Sequence, residues 1–304
     1  MTWYNTRRVA GFDAANAVFG LLPRRLSYVF ITIVAWVVAT ILPGRVAGLR
    51  ANLRHAFPDM SERDMDRLVM ANAKNYGKFW VDLFKVPRLS MAARTRLLRV
   101  DGIENRDHAL AAGNGALVVS IHMGAWEGCT AFWREQTCRT GLIAEVLEPP
   151  ALWKRVRRLR EKSGVEMVPL GRTAPRHIMR ILKDNGLVAG AMDRDIIGSG
   201  KPYRLFDGTI KVPTGMVELA QRTGSPILPV ICLREPDDSY RVVGHPPFAV
   251  EPGPAGVDRA IDRIMRTMEG WIRQYPDQWH VMEPLWRDQD AAAVSEPALE
   301  EAVG

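Results

Sequence analysis

Ala116-Leu-Val-Val-Ser-Ile121 runs directly into His122-Met-Gly-Ala-Trp-Glu127. The first six residues form the most apolar short run in the chain. Short, uncharged and rich in β-branched side chains, they predict a buried strand. Were the two segments one helix, His122 and Glu127 would point about 140° apart, since each residue turns about 100°. A strand ending at His122, a bend at Gly124 and a helix beginning near Glu127 would instead return the carboxylate to the imidazole. A carboxylate holding one ring N–H fixes the tautomer and leaves the other nitrogen as a general base for an alcohol proton. The competing reading of a lone His-x4-Glu is a structural histidine with a surface glutamate nearby.

Working outward, strand-like runs recur at Gly141 to Val146, Val165 to Leu170, Leu187 to Met192, Ile227 to Leu233 and Tyr240 to Val243, with helical patterns between most of them. This alternation predicts an α/β fold, a central mixed sheet covered by helices, with sites gathered at strand ends. His122 and Asp193 both fall at such ends. Upstream, Met60 to Lys85 reads as a helix. Ser61 and Asp64 supply its capping signal, and Leu68, Ala71, Tyr76, Phe79, Trp80 and Leu83 its apolar face.

With 304 residues and 47% hydrophobic content, the chain is sufficient for one large domain with a helical lead-in. Its formal net charge of +7 suits anionic lipid or phosphate-bearing partners. Nucleic acid would attract the same charge, but no nucleic-acid motif is present. Cys129, Cys138 and Cys232 have neither metal nor disulfide spacing. Asp193 and Asp195 bracket Arg194, yet no further carboxylates suggest a divalent cation, so no metal or cofactor is expected. From Leu26 to Gly44 there is no charge, and Tyr28 to Leu42 is apolar on nearly every face, just long enough to span a bilayer. Arginines flank it on both sides: Arg7, Arg8, Arg24 and Arg25 before, Arg45, Arg50 and Arg54 after. Without a charge bias to orient a span, a helix embedded in one leaflet is the first expectation and a single pass the second. The expected organisation is a membrane-associated segment over 1–45, a catalytic domain over 46–290 and a flexible tail over 291–304. A cleaved signal peptide is not expected.

Asn52-Leu-Arg-His-Ala-Phe-Pro-Asp59 with Ser61-Glu62, then His122 to Glu127, Asp193-Arg-Asp195, and Tyr275-Pro-Asp-Gln-Trp279 with Trp286 follow in a definite order. In that order and spacing the chain resembles the late lipid A biosynthesis acyltransferases, across roughly residues 45 to 287. The segment Asp193 to Pro229 is similar to the phosphatidylinositol mannoside acyltransferase branch. The resemblance implies transfer of a fatty acyl group from acyl-CoA or acyl carrier protein to a lipid or glycolipid hydroxyl, at the cytoplasmic face of the plasma (inner) membrane. It implies His122 and Glu127 as the catalytic pair. Asp193, Arg194 and Asp195 would lie near the pocket, Arg194 stabilising an oxyanion or holding a phosphate, with a structural salt-bridge cluster as the alternative. Glu145 either enters the acceptor site or is an ordinary strand-end carboxylate. Trp153 to Lys162 carries six basic residues in ten. Its Lys154, Arg157 and Arg158 are expected to contact lipid headgroups, coenzyme A phosphates or an acidic carrier protein, unless the helix is merely a solvated face. Two other functions fit less of this pattern. A lipid or thioester hydrolase would use the same dyad on water, though Gly-x-Ser-x-Gly is absent. A non-catalytic membrane-binding protein would leave the motifs around His122 unexplained.

Overall fold

Ala116 to Ser120 is a strand buried almost along its length, and the sheet is built around it. The computed structural model of the chain describes residues 3–134 and 138–286. The chain enters through α1 (Trp3–Leu21), α2 (Arg24–Ile41), α3 (Ala47–Ala56) and the long α4 (Glu62–Lys85). There follow α5 (Met91–Arg96), β1 (Leu98–Asp101), α6 (Ile103–Leu110), β2 (Ala116–Ser120), α7 (Trp126–Arg134) and β3 (Thr140–Ala144). Next come α8 (Pro150–Lys162), β4 (Glu166–Pro169), α9 (Ala174–Lys183) and β5 (Leu187–Ala191). A hairpin of β6 (Lys201–Leu205) and β7 (Gly208–Val212) leads to α10 (Gly215–Thr223), β8 (Ile227–Arg234), β9 (Tyr240–Gly244) and α11 (Pro254–Gln274).

Seven strands form one sheet in the order β1-β9-β8-β2-β5-β3-β4. Every pairing is parallel except β8 with β9, so the sheet is mixed, as expected. Helices cover both faces, which is why its central strands read as unbroken apolar runs rather than alternating ones. Two elements were not foreseen. Strand β1 is Leu-Arg-Val-Asp, too short and too charged to stand out. The β6/β7 hairpin lies outside the main sheet, burying Tyr203, Leu205, Ile210 and Val212 on one face and exposing Pro202, Arg204, Thr209 and Lys211 on the other. Its flanking glycines and Pro202 concealed that alternation.

Helix α4 begins as expected: the Ser61 hydroxyl accepts the Asp64 amide at 3.2 Å, satisfying one of the free amides of its first turn. It is also the seat of α2. A Cβ on Gly77 of α4 would come within 2.9 Å of Ile31, so only glycine lets the two helices close this tightly. A buried cluster anchors the start of α2. Asp82 accepts from the hydroxyls of Tyr28 and, at 2.8 Å, Tyr240, while Arg234 donates to Asp82 at 2.5 Å and to the Tyr28 hydroxyl at 3.1 Å. The opposite face of α2 is bare: Leu26, Val29, Phe30, Ile33, Trp36 and Ile41 are exposed. By length and composition α2 is apolar enough to cross a membrane. The lead-in therefore lies against α4 along its inner face. Residues 291–304, expected to form a tail, lie outside the described residues.

Candidate active site

Parallel pairing of β2 with β5 aligns Ser120 with Ala191. The two strands thus leave the sheet side by side, and two residues beyond each lies a polar side chain, His122 on one and Asp193 on the other. The Met192 amide still donates to the Ser120 carbonyl at 2.9 Å. One step further the Asp193 carboxylate takes over the ladder, accepting the His122 amide at 3.1 and 3.0 Å on its two oxygens. His122 Nδ1 lies 2.7 Å from Asp193 Oδ1, and the Trp279 indole N–H donates to Oδ2 at 3.1 Å. Asp193 is fully buried. Burial raises its carboxyl, but the charge of His122 and the hydrogen bonds from His122 and Trp279 outweigh that and hold it below the ordinary range. In the neutral imidazole, an Nδ1–H donated to this ionised acceptor leaves the lone pair on Nε2.

The carboxylate on His122 is therefore Asp193, a correction to the expected contact with Glu127. Glu127 sits in the first turn of α7, buried, and both Nε and Nη2 of Arg160 on α8 approach its Oε1 at 2.8 Å. Burial pushes its carboxyl up, with Arg160 acting in opposition. The Arg160 guanidinium also lies 4.4 Å from the centre of the Trp126 ring. The bend at Gly124 does occur, at φ +70°, and a Cβ there would fall 1.8 Å from the Cys232 carbonyl oxygen. It turns the chain toward β8 and the Tyr275–Trp279 motif, however, and directs Glu127 to α8. The Gly124 amide donates to the Gln278 carbonyl at 2.7 Å, and the His280 amide to the His122 carbonyl at 2.7 Å.

His122 opens on a cavity of about 910 Å³. Leu142, Ile143, Ala189, Gly190 and Met216 give it an apolar wall, and a Cβ on Gly190 would come within 2.6 Å of the Met216 sulfur. Its rim is polar. Glu145 lines it one residue past β3. Arg194 lines it while paired with Glu283 at 3.0 Å. Asp195 lines it too, its carboxylate accepting the amides of Gly198 at 3.0 Å and Gly200 at 2.7 Å to shape the following turn. Lys154, Arg157 and Arg158 do not line this cavity. Helix α8 buries Leu152, Val156 and Leu159 and turns only Arg160 of its basic residues inward, because Glu127 waits there.

Trp279, Arg160 and His280 were not assigned roles from the sequence. His280 donates from Nδ1 to the Asn72 carbonyl oxygen at 2.9 Å, since the Asn72 amide nitrogen already donates to two backbone carbonyls. Burial, followed by the charges of Arg234 and His122, pushes its imidazole down to about 3. For Trp279 the only signal was its place in the Tyr275–Trp279 motif; nothing in spacing marks an indole N–H as the second donor to a distant aspartate.

An imidazole backed by a buried acid thus stands at the mouth of an apolar-walled cavity, and comparison with known proteins assigns the chain to the acyltransferases. The family model described as bacterial lipid A biosynthesis acyltransferase matches residues 12–288, and the chain belongs to that family. Phosphatidylinositol mannoside acyltransferase of Mycobacterium tuberculosis is 28% identical over 260 residues, covering 79% of this chain and 80% of that protein. The Mycolicibacterium smegmatis protein of the same name is 27% identical over 255 residues, covering 79% and 83%. Among solved structures, the 1-acyl-sn-glycerophosphate acyltransferase PlsC of Thermotoga maritima covers 81% of this chain and 98% of its own. Its 17% identity and TM-score of 0.37 are too low to define a shared topology.

Proposed function

We propose that this acyltransferase moves a fatty acyl group from a thioester, of coenzyme A or acyl carrier protein, to a hydroxyl of a glycolipid of the phosphatidylinositol mannoside or lipid A precursor type. The observation that carries the reading is the His122–Asp193 pair at the mouth of the apolar-walled cavity. Nε2 of His122 takes the acceptor hydroxyl proton, and the alkoxide adds to the thioester carbonyl. The tetrahedral intermediate collapses to the ester, and the imidazolium returns its proton to the departing thiolate. Asp193 holds the tautomer and balances the transient positive charge on the ring, as the acid of a catalytic triad does. The apolar wall takes the acyl chain. Glu145 and Arg194 on the rim meet the acceptor hydroxyls and the oxyanion or phosphate. Glu127 acts at one remove, through Arg160, as a positioning residue.

Membrane association through α2 belongs to the same proposal. The helix lies along α4 with one apolar face outward, which favours insertion into one leaflet over a separate span.

The test is turnover of purified protein with labelled acyl thioester and extracted glycolipid, with product analysis. His122→Ala should lower kcat by about 10²- to 10⁴-fold, and Asp193→Asn should fall in the same range with little change in KM. The wild-type label should leave as acyl-lipid. Near-normal turnover of His122→Ala, or label recovered as free fatty acid with acceptor present, refutes the reading.

A further inference from the structure

Away from His122, a second cavity of about 500 Å³ opens between α1, the turn after α4 and α8. Five cations line it, Arg88, Lys154, Arg155, Arg158 and Lys162, against the single carboxylate of Asp13. Asp13 is already satisfied: Arg155 pairs with both of its oxygens, at 2.6 and 2.8 Å. Lys154 and Arg158, both exposed, make no ion pair among the described residues. Arg157, one position away, turns outward to Glu161 at 2.6 Å and leaves the cleft. The cleft is thus concave, with positive charge in excess of its own acid, and Phe12 is among its lining residues.

Its surroundings indicate where the missing anion comes from. Arg88 donates to Asn16 at 2.9 Å and lies against Gly20, where a Cβ would be 3.1 Å from the guanidinium. One residue on, Leu21 is 87% exposed, and Val18 is exposed on the same helix. Cations in the cleft and bare apolar side chains on other sides of the same helix supply the two parts of a lipid interface, charge for the phosphate and hydrocarbon for the chain.

We infer that the cleft of Arg88, Lys154, Arg158 and Lys162 binds the phosphate of an anionic phospholipid headgroup, holding the enzyme on the leaflet from which its acceptor comes. The inference rests on the membrane reading of α2 and adds to it a headgroup site separate from the catalytic cavity. It explains why α8 keeps a basic outer surface after Arg160 has been committed to Glu127.

Full-length protein is to be sedimented with phosphatidylcholine vesicles with and without phosphatidylglycerol, beside Lys154→Gln/Arg158→Gln and a control of equal charge loss on α9, Arg176→Gln/Arg180→Gln. The cleft variant should lose about 30-fold in affinity for the anionic vesicles, from two cations near the surface. Its affinity for neutral vesicles should not move, and the α9 control should lose about threefold at most. Equal losses in both variants would reduce the cleft to general surface charge and overturn the inference. Undiminished vesicle binding, with loss of the melting-temperature rise that adenosine 3′,5′-bisphosphate gives the wild type, would make the occupant a soluble phosphate and overturn it as well. Equal binding of wild type to both vesicle types defeats the headgroup site and leaves the α2 reading standing, whereas no binding to either defeats both.

Discussion

At the scale of single residues, the site turns on which acid reaches His122. Glu127 is five positions away along the chain and Asp193 is 71, yet Asp193 is the partner at 2.7 Å. Neighbouring parallel strands bring distant residues to one edge, while an intervening bend sends a sequence neighbour elsewhere. The same neighbourhood leaves a measurable signature in His280. Its imidazole, pushed down to about 3 in the folded protein, stays neutral there, whereas the unfolded chain protonates it near 6.5. Below pH 6.5 the unfolded state binds the extra proton, so this contribution to stability is complete above 6.5 and is lost progressively as pH falls toward 3. The melting temperature of the wild type should therefore drop between pH 6.5 and 4.5, before ordinary carboxylates titrate. In His280→Gln that slope should be shallower. Equal slopes would show that the imidazole is not held neutral.

Elements meet through buried polar pairs as well as apolar faces, and α7 and α8 meet through Glu127 and Arg160. Arg160 is 11% exposed and Glu127 3%, so removing one strands the other in a dry environment. Arg160→Met should destabilise the protein by about 3–5 kcal/mol in urea unfolding. Glu127→Gln/Arg160→Met should recover most of that, because no buried charge is left alone. A double variant no more stable than Arg160→Met would mean that packing against Trp126, and not charge, makes this contact. Legibility at this scale followed burial. The six strands read from apolar runs end within two residues of their observed limits, because sheet strands covered on both faces need continuous apolar sequence. β1 and the β6/β7 hairpin, partly exposed, carry charges at the positions that face water and were missed. The capping serine of α4 was legible because a cap is made by residues three apart.

For the whole molecule, the question is how the cavity beside His122 would be presented to the lipid acceptor proposed for it. Tyr28, Asp82, Arg234 and Tyr240 tie the start of α2 into the domain, and Gly77 seats its middle, so the outer face is offered at a fixed orientation. Val29 and Ile33 sit one turn apart on that face, 58% and 55% exposed. Val29→Glu/Ile33→Glu should cut binding to neutral vesicles more than about tenfold, since each substitution exchanges apolar transfer for the cost of a buried charge. Urea stability in solution should change by no more than about 0.5 kcal/mol per site, as is usual for surface positions. Retained vesicle binding would remove α2 from the membrane interface.

By itself the sequence determined the α/β class, the positions of most strands along the chain, the amphipathic α4, the apolar α2 and the identity of His122 as the polar residue at a strand exit. All of these are local, written in periodicity, capping and composition within a few residues. Only the tertiary structure decided that Asp193 and Trp279 converge on His122, that Arg160 takes Glu127, and that Lys154 and Arg158 face a cleft other than the cavity beside His122. Those pairings depend on strand order, register and helix rotation. They arise from the packing of segments far apart in the chain, which no window of sequence contains.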